Sequence, residues 1–221
     1  MNATITSTAH YVPEKVLTNS DLEKLVDTSD EWIKSRVGIN QRHVVSDGEA
    51  SSDMSTKVAH SLLEKRGISA ANIDVIIIGT VTPDHPTPST AAIVQNNIKA
   101  ENAWAFDLSA ACSGFLYALE TGAKFIESGQ YKTIMVIGVD TMTSILDFED
   151  RETCIIFGDG AGGVILEASK SNTGILGSVL KTDGSGAESL NVLAGGSKYP
   201  ASLATIKNRQ HYIKQDGKKV F

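Results

Sequence analysis

The sequence predicts an α/β fold, layered so that helices cover both faces of a sheet. Residues 75–78 read Val-Ile-Ile-Ile, and residues 131–139 form a second apolar run, as in strands that are buried on both faces. Apolar residues at helical spacing precede the first run, over residues 51–66, and occur again between the two runs, from Phe115 onward. Strands that alternate with helices in this way are typical of layered α/β proteins.

Composition limits both the size of the core and the classes of function. With 221 residues, 41% of them hydrophobic, the chain can bury one large core or two small ones. No apolar run reaches membrane-spanning length, and the N-terminus lacks the basic-then-apolar pattern of a signal peptide. The net charge of -6 argues against nucleic-acid binding. Because two cysteines do not make a disulfide framework, we expect a protein of the reducing cytoplasm with no membrane partner.

Charge is spread unevenly along the chain. From Lys198 onward six basic side chains face one acidic side chain, Asp216, which gives this basic tail a net charge of +5. The tail is either a solvated face or a surface for an acidic or phosphorylated partner. The carboxylates of Asp147, Glu149 and Asp150 lie in a polar connection, where we expect them to be solvated. No Cys-x-x-Cys pair and no His-Glu-x-x-His motif is present, so the sequence predicts no metal site.

The first part of the chain predicts short elements followed by one long helix. The short elements are a strand over residues 3–11 ended by Pro13, a helix from the capping box 20–23 to Val26, a helix from the capping box 28–31 to about Gly38, and a strand over residues 41–45. The long helix, residues 51–66, carries Met54, Val58 and Leu62 on one side and ends at Gly67. His60 is expected on its surface.

The later elements are predicted from shorter patterns. They are a buried strand over residues 103–108, a helix from Phe115 to about Gly129, the strand 131–139, two strand segments within 151–166 joined through glycines, a strand over 174–182 and a turn at 183–186. Three prolines stiffen the loop after residues 75–78, and Ser89 or Thr90 can cap the helix that follows. Residues 187–221 are poorly patterned and lack a closing element.

Cys112 is the candidate nucleophile. It lies where the apolar run 103–108 passes, through small residues, into the helix that begins near Phe115. A thiol at that point meets unpaired backbone N–H groups and the positive end of the helix dipole, which favour the thiolate. The alternative is a small buried core residue, and the residues by themselves leave both interpretations open. His85, in the proline-rich loop, is a weak candidate for a partner of the cysteine.

Trp32 and Arg36 lie four residues apart and share one face of their predicted helix. An aromatic plane beside a guanidinium can hold a nucleotide, by stacking on the base and pairing with a phosphate. The alternative is that Trp32 packs on the core and Arg36 lies over it. The glycine-rich stretch 158–163 lacks the ending of a P-loop, so it predicts a tight turn with a close backbone approach. Cys154 is predicted to be a core residue.

Four motifs occur in one order along the chain. They are Thr28-Ser-Asp-Glu-Trp-Ile with Arg36-Val-Gly-Ile and Arg42-His, then Ala110-Ala-Cys-Ser-Gly-Phe, then Asp150-Arg, and finally Phe157-Gly-Asp-Gly-Ala-Gly-Gly. In order and spacing they resemble β-ketoacyl-acyl carrier protein synthase III, the initiating condensing enzyme of bacterial fatty acid synthesis. Any one motif alone is weak, whereas four in order across nearly the whole chain are highly specific.

The resemblance implies a thiolase-like fold, layered α/β/α/β/α and built from two similar halves. Residues 1–170 would form the complete N-terminal half, and residues 171–221 the beginning of an incomplete second half. It also implies an acyltransferase. An acyl group passes from coenzyme A to a cysteine, and malonyl-acyl carrier protein then loses carbon dioxide and attacks the acyl-enzyme. The implied partners are acyl-coenzyme A, malonyl-acyl carrier protein and a second copy of the chain as a homodimer. No cofactor is implied, because coenzyme A enters as a thioester substrate.

The same resemblance implies roles for individual residues. Cys112 becomes the acyl-accepting nucleophile, and its own backbone N–H supplies part of the oxyanion hole. The residues implied to bind coenzyme A are Trp32 and Arg151, on the two faces of the adenine, Thr28 nearby, and Arg36 close to the phosphates. Those implied to line the pantetheine and acyl channel are Ile156 and Phe157. The glycines of 158–163 are implied to be structural.

Two departures from the family pattern matter. Thr87 stands where the family often has Phe or Leu, at the residue that crosses a dimer interface to floor the acyl pocket. We therefore expect a pocket open to longer or branched acyl groups. The family's catalytic histidine and asparagine fall beyond residue 221, so we expect that this chain alone does not complete the condensation. The alternatives are a related condensing enzyme or acyltransferase of secondary metabolism and a non-catalytic dimerising fragment.

Overall fold

A computed structural model describes residues 2–169, 171 and 173–220 of the chain. The strands are β1 (Ala3–Tyr11), β2 (Lys15–Thr18), β3 (Gln41–Val44), β4 (Val75–Gly79), β5 (Trp104–Leu108), β6 (Thr133–Thr141), β7 (Asp159–Ala168), β8 (Leu190–Val192) and β9 (Ile213–Gln215). The helices are α1 (Asn19–Leu22), α2 (Asp30–Val37), α3 (Ser51–Arg66), α4 (Thr90–Asn97), α5 (Gly114–Glu127), α6 (Arg151–Cys154), α7 (Leu203–Lys207) and α8 (Gly217–Val220).

The chain divides into two compact units, each assembled from three separate segments. The first unit comprises residues 1–13, 45–141 and 160–180, and the second comprises residues 14–44, 142–159 and 181–221. The predicted division into residues 1–170 and 171–221 concerns the halves of a larger fold and stays a prediction.

The first unit is built on a five-stranded sheet in the order β1-β7-β6-β4-β5. Strand β4 runs parallel to both β5 and β6, whereas β1 pairs with β7 in the antiparallel sense. All residues of β4 are buried. Ile76 and Ile78 join the cluster that includes α3 and α4, and Val75 and Ile77 join the cluster that includes α5. Since successive strand residues point to opposite faces, helices cover both faces of the sheet, as predicted.

Several predicted helix boundaries in this unit are confirmed. Helix α3 has the predicted bounds, and Gly67 follows it in the left-handed conformation at φ 69°. Ser89 caps α4, because its hydroxyl accepts a hydrogen bond from the Ala92 N–H at 3.2 Å. The side chain of His60 is exposed, as expected.

Strand β5 is a correction to the buried strand predicted over residues 103–108. It forms one edge of the sheet, and its residues are only partly buried, with Trp104 42% exposed. The aromatic residues of this apolar run pack against each other. Trp104 stacks on Phe106 with ring centroids 5.4 Å apart.

The strand predicted over residues 174–182 is wrong. The structure has no strand there, and the side chains of Leu176 and Val179 are 77% and 85% exposed. Ile175 donates one backbone hydrogen bond to the Ala3 carbonyl at 2.8 Å. A strand requires a partner along its length, and none of the sheets formed by the described residues includes this segment.

Residues 151–166 were predicted as two strand segments, and the first of them is wrong. Residues 151–154 form the helical turn α6, because the Asp150 carboxylate accepts from the Glu152 N–H at 3.1 Å and caps it. The glycines at 160–163 lie inside β7 rather than in a tight turn. The predicted close approach is confirmed, since a Cβ on Gly163 would lie 2.9 Å from the Val136 carbonyl oxygen.

The second unit holds two small antiparallel sheets, β2-β3 and β8-β9. Its core is a cluster of four buried residues: Leu22, Ile33, Cys154 and Ile155. The sequence left residues 187–221 unpatterned, and the described part of this range, up to residue 220, forms β8, α7, β9 and α8. The short length of each element explains why periodicity did not reveal it.

Both predicted capping boxes in this unit are shifted. Thr18 rather than Ser20 caps α1, through a reciprocal pair of hydrogen bonds with Asp21, and α1 ends at Leu22 instead of Val26. Ser29 rather than Thr28 caps α2, accepting from the Trp32 N–H at 3.1 Å. Several Ser, Thr and Asp residues follow one another at each start, so spacing alone selected the wrong member.

The sequence predicts a solvated carboxylate at Asp147, and this prediction is wrong. The structure buries the side chain, which is only 5% exposed. Arg209 donates two hydrogen bonds to it, one of them from Nε at 2.8 Å. Asp150 accepts from the Lys214 ammonium at 2.9 Å, whereas Glu149 is 80% exposed. Part of the basic tail therefore pairs with carboxylates of the chain itself.

Candidate active site

Cys112 lies on the turn that joins β5 to α5. Residues 111–113 form a single 3-10 turn, and α5 begins directly after it at Gly114. Cys112 is exposed, in contrast to the buried Cys154. The sequence placed Cys112 at a strand-to-helix junction, and the structure has it there.

The position of this turn is fixed by a close contact between two backbones. A Cβ on Gly79, the last residue of β4, would lie 2.8 Å from the carbonyl carbon of Gly114. Only glycine leaves room for the start of α5 to sit this close to the end of β4. Ala111, directly before Cys112, has a positive φ of 46° although it carries a Cβ. The exposed thiol is therefore held on a constrained backbone at the carboxyl ends of the parallel strands.

The proline-rich loop is anchored beside the same edge of the sheet. One carboxylate oxygen of Asp140, near the end of β6, accepts hydrogen bonds from Thr80, Val81 and Thr82 at 2.8–3.2 Å. The Asp107 carboxylate, at the end of β5, accepts from the first N–H groups of α4 at 2.7 and 2.8 Å. Carboxylates thus hold both ends of the loop, a role that local sequence patterns did not indicate.

A cleft of about 550 Å³ lies between this loop and β5. His85, Phe106, Asp107 and Ser109 are among its lining residues, and Cys112 does not appear among the described residues that line it. The structure therefore does not bring His85 and the thiol together in one cleft. Thr87 lies on the exposed part of the loop.

Cys154 lies in the core, as predicted. It is fully buried in the cluster of the second unit, and burial raises the pKa of its thiol. A buried thiol with a raised pKa is a poor nucleophile.

Trp32 lies on α2 with two guanidinium groups next to its ring. The ring is half buried against the core cluster of the second unit. The Cζ atoms of Arg151 and Arg36 lie 5.0 Å and 6.0 Å from the ring centroid. Both interpretations made from the sequence are thus partly realised, because Trp32 packs on the core and also presents a face to two arginines.

A base stacked between Trp32 and Arg151 needs more room than the structure has. Two stacking contacts at van der Waals distance require a gap of about 7 Å, compared with 5.0 Å here. Arg151 is held by a hydrogen bond from a terminal nitrogen to the Asp27 carbonyl at 2.8 Å. The predicted adenine sandwich therefore requires the guanidinium to move outward by about 2 Å.

A cleft of about 730 Å³ opens beside Trp32. Arg36, Ile155, Ile156 and Lys218 also line it, whereas neither Thr28 nor Phe157 is among the described residues that line it. The Thr28 hydroxyl is buried, and the described residues offer it no hydrogen-bond partner. The structure thus groups Trp32, Arg36 and Ile156 in one cleft, with Arg151 over the ring.

Arg42 is hydrogen-bonded to Ile155, one of the residues that line this cleft. Its side chain is buried and donates from Nε to the Ile155 carbonyl at 3.2 Å and from a second nitrogen to Asn19 at 2.5 Å. A Cβ on Gly158 would lie 3.0 Å from the Arg42 Cβ, so the glycine leaves space for this arginine. The sequence analysis included Arg42 only as part of a motif and did not predict its structural role. Its partner Ile155 lies far away in the chain, so no local pattern indicates the contact.

Two kinds of feature are absent from the part of the chain that the structure describes. Among residues 2–169, 171 and 173–220, no helix combines the length and apolar character required to span a bilayer. The same residues contain no group of three or more His, Cys, Asp or Glu side chains placed to hold a metal ion.

Comparisons with known proteins identify the family of the chain. The sequence profile of 3-oxoacyl-[acyl-carrier-protein (ACP)] synthase III matches residues 106–184. The β-ketoacyl-[acyl-carrier-protein] synthase III of Chlorobaculum tepidum is 58% identical over 224 residues, covering 100% of this chain and 68% of that protein. The protein of the same name from Chlorobium chlorochromatii is 54% identical with the same coverage.

A solved structure gives the same result for the fold. The crystal structure of 3-oxoacyl-[acyl-carrier-protein] synthase III from Aquifex aeolicus VF5 superimposes with a TM-score of 0.88 at 41% identity, covering 99% of this chain and 66% of that chain. This chain thus spans about two thirds of the length of these relatives. The predicted thiolase-like α/β fold is confirmed. From its identity to the curated relatives along its whole length, the chain belongs to the β-ketoacyl-[acyl-carrier-protein] synthase III family.

Proposed function

We propose that this chain carries the acyl-accepting centre of an initiating condensing enzyme of fatty acid synthesis. The observation that supports this most directly is the exposed Cys112, held on a constrained turn at the start of α5. Family membership supplies the reaction. Of the two cysteines, Cys112 is the exposed one, which solvent and substrate can reach.

The proposed first step is acyl transfer from coenzyme A. The Cys112 thiolate attacks the thioester carbonyl, and the tetrahedral intermediate collapses to release the coenzyme A thiolate, which takes a proton from water. The backbone N–H of Cys112 is proposed to stabilise the oxyanion. Arg151 and Trp32 would hold the adenine and Arg36 the phosphates, with Thr28 nearby and Ile156 and Phe157 along the pantetheine.

The proposed second step belongs to the whole protein. Malonyl-acyl carrier protein loses carbon dioxide, and the resulting carbanion attacks the acyl group on Cys112, which frees the thiolate and leaves a β-ketoacyl group on the carrier protein. The steps invoke no cofactor, because both acyl groups arrive as thioesters. A cytoplasmic location is part of the proposal, since the nucleophile must remain a reduced thiol.

Mass spectrometry of the intact chain after incubation with acetyl-coenzyme A tests the first step. One acetyl group is expected, on the peptide that contains Cys112, and Cys112→Ala should abolish it. Cys154→Ala is the matched control and should retain the label, because Cys154 is buried. Labelling that persists in Cys112→Ala and disappears in Cys154→Ala would contradict the proposal.

We also propose that Thr87 shapes the acyl pocket from a second protomer. A small side chain at this exposed position leaves room for longer or branched groups. Acyl transfer from acetyl-, isobutyryl- and octanoyl-coenzyme A should therefore all occur, and Thr87→Phe should reduce the transfer of the two larger groups selectively. Strict preference for acetyl by the unaltered chain would show that Thr87 does not widen the pocket.

A homodimer formed through β5 is the proposed assembly. This edge strand exposes Trp104, whose ring contacts Phe106, Phe125 and Tyr131 at centroid distances of 5.4–5.8 Å. An aromatic cluster beside an unpaired strand edge favours pairing with another strand. Light scattering should give twice the chain mass, reduced by Trp104→Glu and unchanged by Leu176→Glu, whose side chain is also exposed. A monomer before any substitution would contradict this assembly.

A further inference from the structure

We propose that a four-residue charge cluster, Asp147, Asp150, Arg209 and Lys214, is the positioning device for Arg151 and thereby sets the affinity for the nucleotide end of coenzyme A. The inference rests on the proposed function, since it concerns the coenzyme A site, and it adds four residues that do not touch the substrate. All four lie in the second unit.

The base of the cluster is the pair of Asp147, which is buried, and Arg209, whose side chain is 44% exposed. The carboxylate is 5% exposed and accepts two hydrogen bonds from the guanidinium, one at 2.8 Å. It also accepts from the Glu149 N–H at 2.9 Å, so it orders the chain directly before α6. A bidentate pair fixes orientation as well as distance. The segment that leads into α6 is therefore fastened to the chain around residue 209.

The second pair acts on α6 itself. Asp150 accepts from the Glu152 N–H at 3.1 Å with one carboxylate oxygen and from the Lys214 ammonium at 2.9 Å with the other. Lys214 also lies 3.8 Å from Asp147, which joins the two pairs into one cluster. The cap residue of α6 is thus held by strand β9, which contains Lys214.

Such support matters because α6 has only four residues. A helix of this length is unstable by itself, since nucleation fixes several residues for few hydrogen bonds. Its orientation must come from contacts outside the helix. The cap by Asp150 and the cluster around it supply contacts of this kind.

Arg151 is the first residue of α6 and directly follows Asp150. Its guanidinium lies 5.0 Å from the Trp32 ring centroid and donates to the Asp27 carbonyl at 2.8 Å. The outer end of the side chain can leave Asp27 to admit an adenine, but its backbone must stay in place for the guanidinium to stack again. The cluster supplies this fixed base, and a loosened base would weaken the stacking without touching Cys112.

The test compares two acyl donors that differ only in the nucleotide. Acetyl-coenzyme A and acetyl-pantetheine are titrated separately, and acylation of Cys112 is followed by mass spectrometry in three variants. Asp150→Asn keeps an oxygen that can cap α6 but removes the charge, and Lys214→Met removes the other partner. Lys207→Met is the matched control, because Lys207 is an exposed lysine outside the cluster.

The cluster variants should require roughly 2–5 times more acetyl-coenzyme A for half-maximal acylation, as expected for loss of a partly exposed ion pair. Their response to acetyl-pantetheine should stay unchanged, and Lys207→Met should behave as the unaltered chain with both donors. Thermal unfolding verifies that the variants are folded, and calorimetry with coenzyme A should give the same ratio of affinities.

The outcomes separate this inference from the proposed function. If the unaltered chain shows no preference for acetyl-coenzyme A over acetyl-pantetheine, or is not acylated at all, the proposed coenzyme A site is wrong and the inference fails with it. If the preference exists but survives both cluster variants, only the positioning role is overturned. An equal loss with both donors would also overturn it, since it would show general damage to the unit.

Discussion

At the scale of single residues, Ala111 has a strained backbone conformation next to the thiol. Its φ of 46° lies in the left-handed region, where a Cβ approaches the carbonyl oxygen. A residue in such a conformation is stabilised only by its surroundings, and here these are β5 on one side and α5 on the other. The turn thus accepts unfavourable backbone energy while holding Cys112 at the surface.

Ala111→Gly should therefore raise the free energy of unfolding by about 1 kcal/mol while slowing the acylation of Cys112, because the turn becomes more mobile. Urea unfolding and the rate of acylation measure the two effects. Ala110→Gly is the matched control. Residue 110 has a negative φ, so glycine there should lower stability by about 0.5–1 kcal/mol. Equal changes in the two variants would contradict the assignment of strain to Ala111.

A second residue-scale prediction concerns Asp147 and pH. Hydrogen bonding by the Arg209 guanidinium holds the pKa of Asp147 below its ordinary value near 3.8. A carboxyl with a lowered pKa in the folded state contributes stability above its ordinary pKa and loses it as the pH falls through the folded value. Asp147→Asn should therefore be less stable than the unaltered chain at pH 7, and the difference should narrow below about pH 4. A difference in urea midpoint that stays constant between pH 7 and pH 3 would exclude this role.

At the scale of elements, the contact between β4 and α5 determines where the nucleophile stands. Helix α5 contributes buried residues against the sheet along its length, including Ala118, Ala123 and Ile126. Its first turn can approach the sheet only because Gly79 lacks a side chain, since a Cβ there would lie 2.8 Å from the carbonyl carbon of Gly114. The position of Cys112 thus depends on a glycine, Gly79, that takes no part in chemistry.

Gly79→Ala should lower the free energy of unfolding by about 1–3 kcal/mol, because its methyl group would overlap the Gly114 backbone and the start of α5 would shift. The alkylation rate of Cys112 should change in the same variant. Gly177→Ala serves as the control, since a Cβ there meets no atom within 4 Å. Normal alkylation in a destabilised Gly79→Ala would show that the contact supports the fold but not the thiol.

The elements also show how far sequence patterns extend. Strand β4 and helix α3 were predictable because their burial patterns repeat over their full lengths, and Cys112 followed from the junction of β5 with α5. Helix α6 was not predictable from the sequence. Ile155 and Ile156 favour a strand, and the cap by Asp150 that favours the helix is recognised only in the folded structure. The pairing of Asp147 with Arg209 spans 62 positions in the chain, and no local pattern encodes it.

At the scale of the whole molecule, protection should vary strongly across the sheet of the first unit. Strand β4 is fully buried between β5 and β6. Residues 173–180 are exposed apart from the partly buried Ile175, and they belong to no sheet formed by the described residues. Backbone amides exchange fastest where local opening is easiest. Hydrogen exchange should therefore be slowest in β4 and β6 and fastest over residues 173–180. Comparable rates in these two regions would contradict the packing described here.

The antiparallel pair at the other edge of the sheet has a consequence for how the chain is made. Ala3 of β1 lies opposite Ala168 of β7, and β1 occupies the edge beyond β7 in the sheet order. During synthesis β1 leaves the ribosome before β7, and this partner follows roughly 10–30 s later at ordinary elongation rates. For that interval Ala3–Tyr11 is a strand without a sheet. Strand β1 thus completes its pairing long after it is translated, and a chaperone that shields it would raise the yield of the native protein.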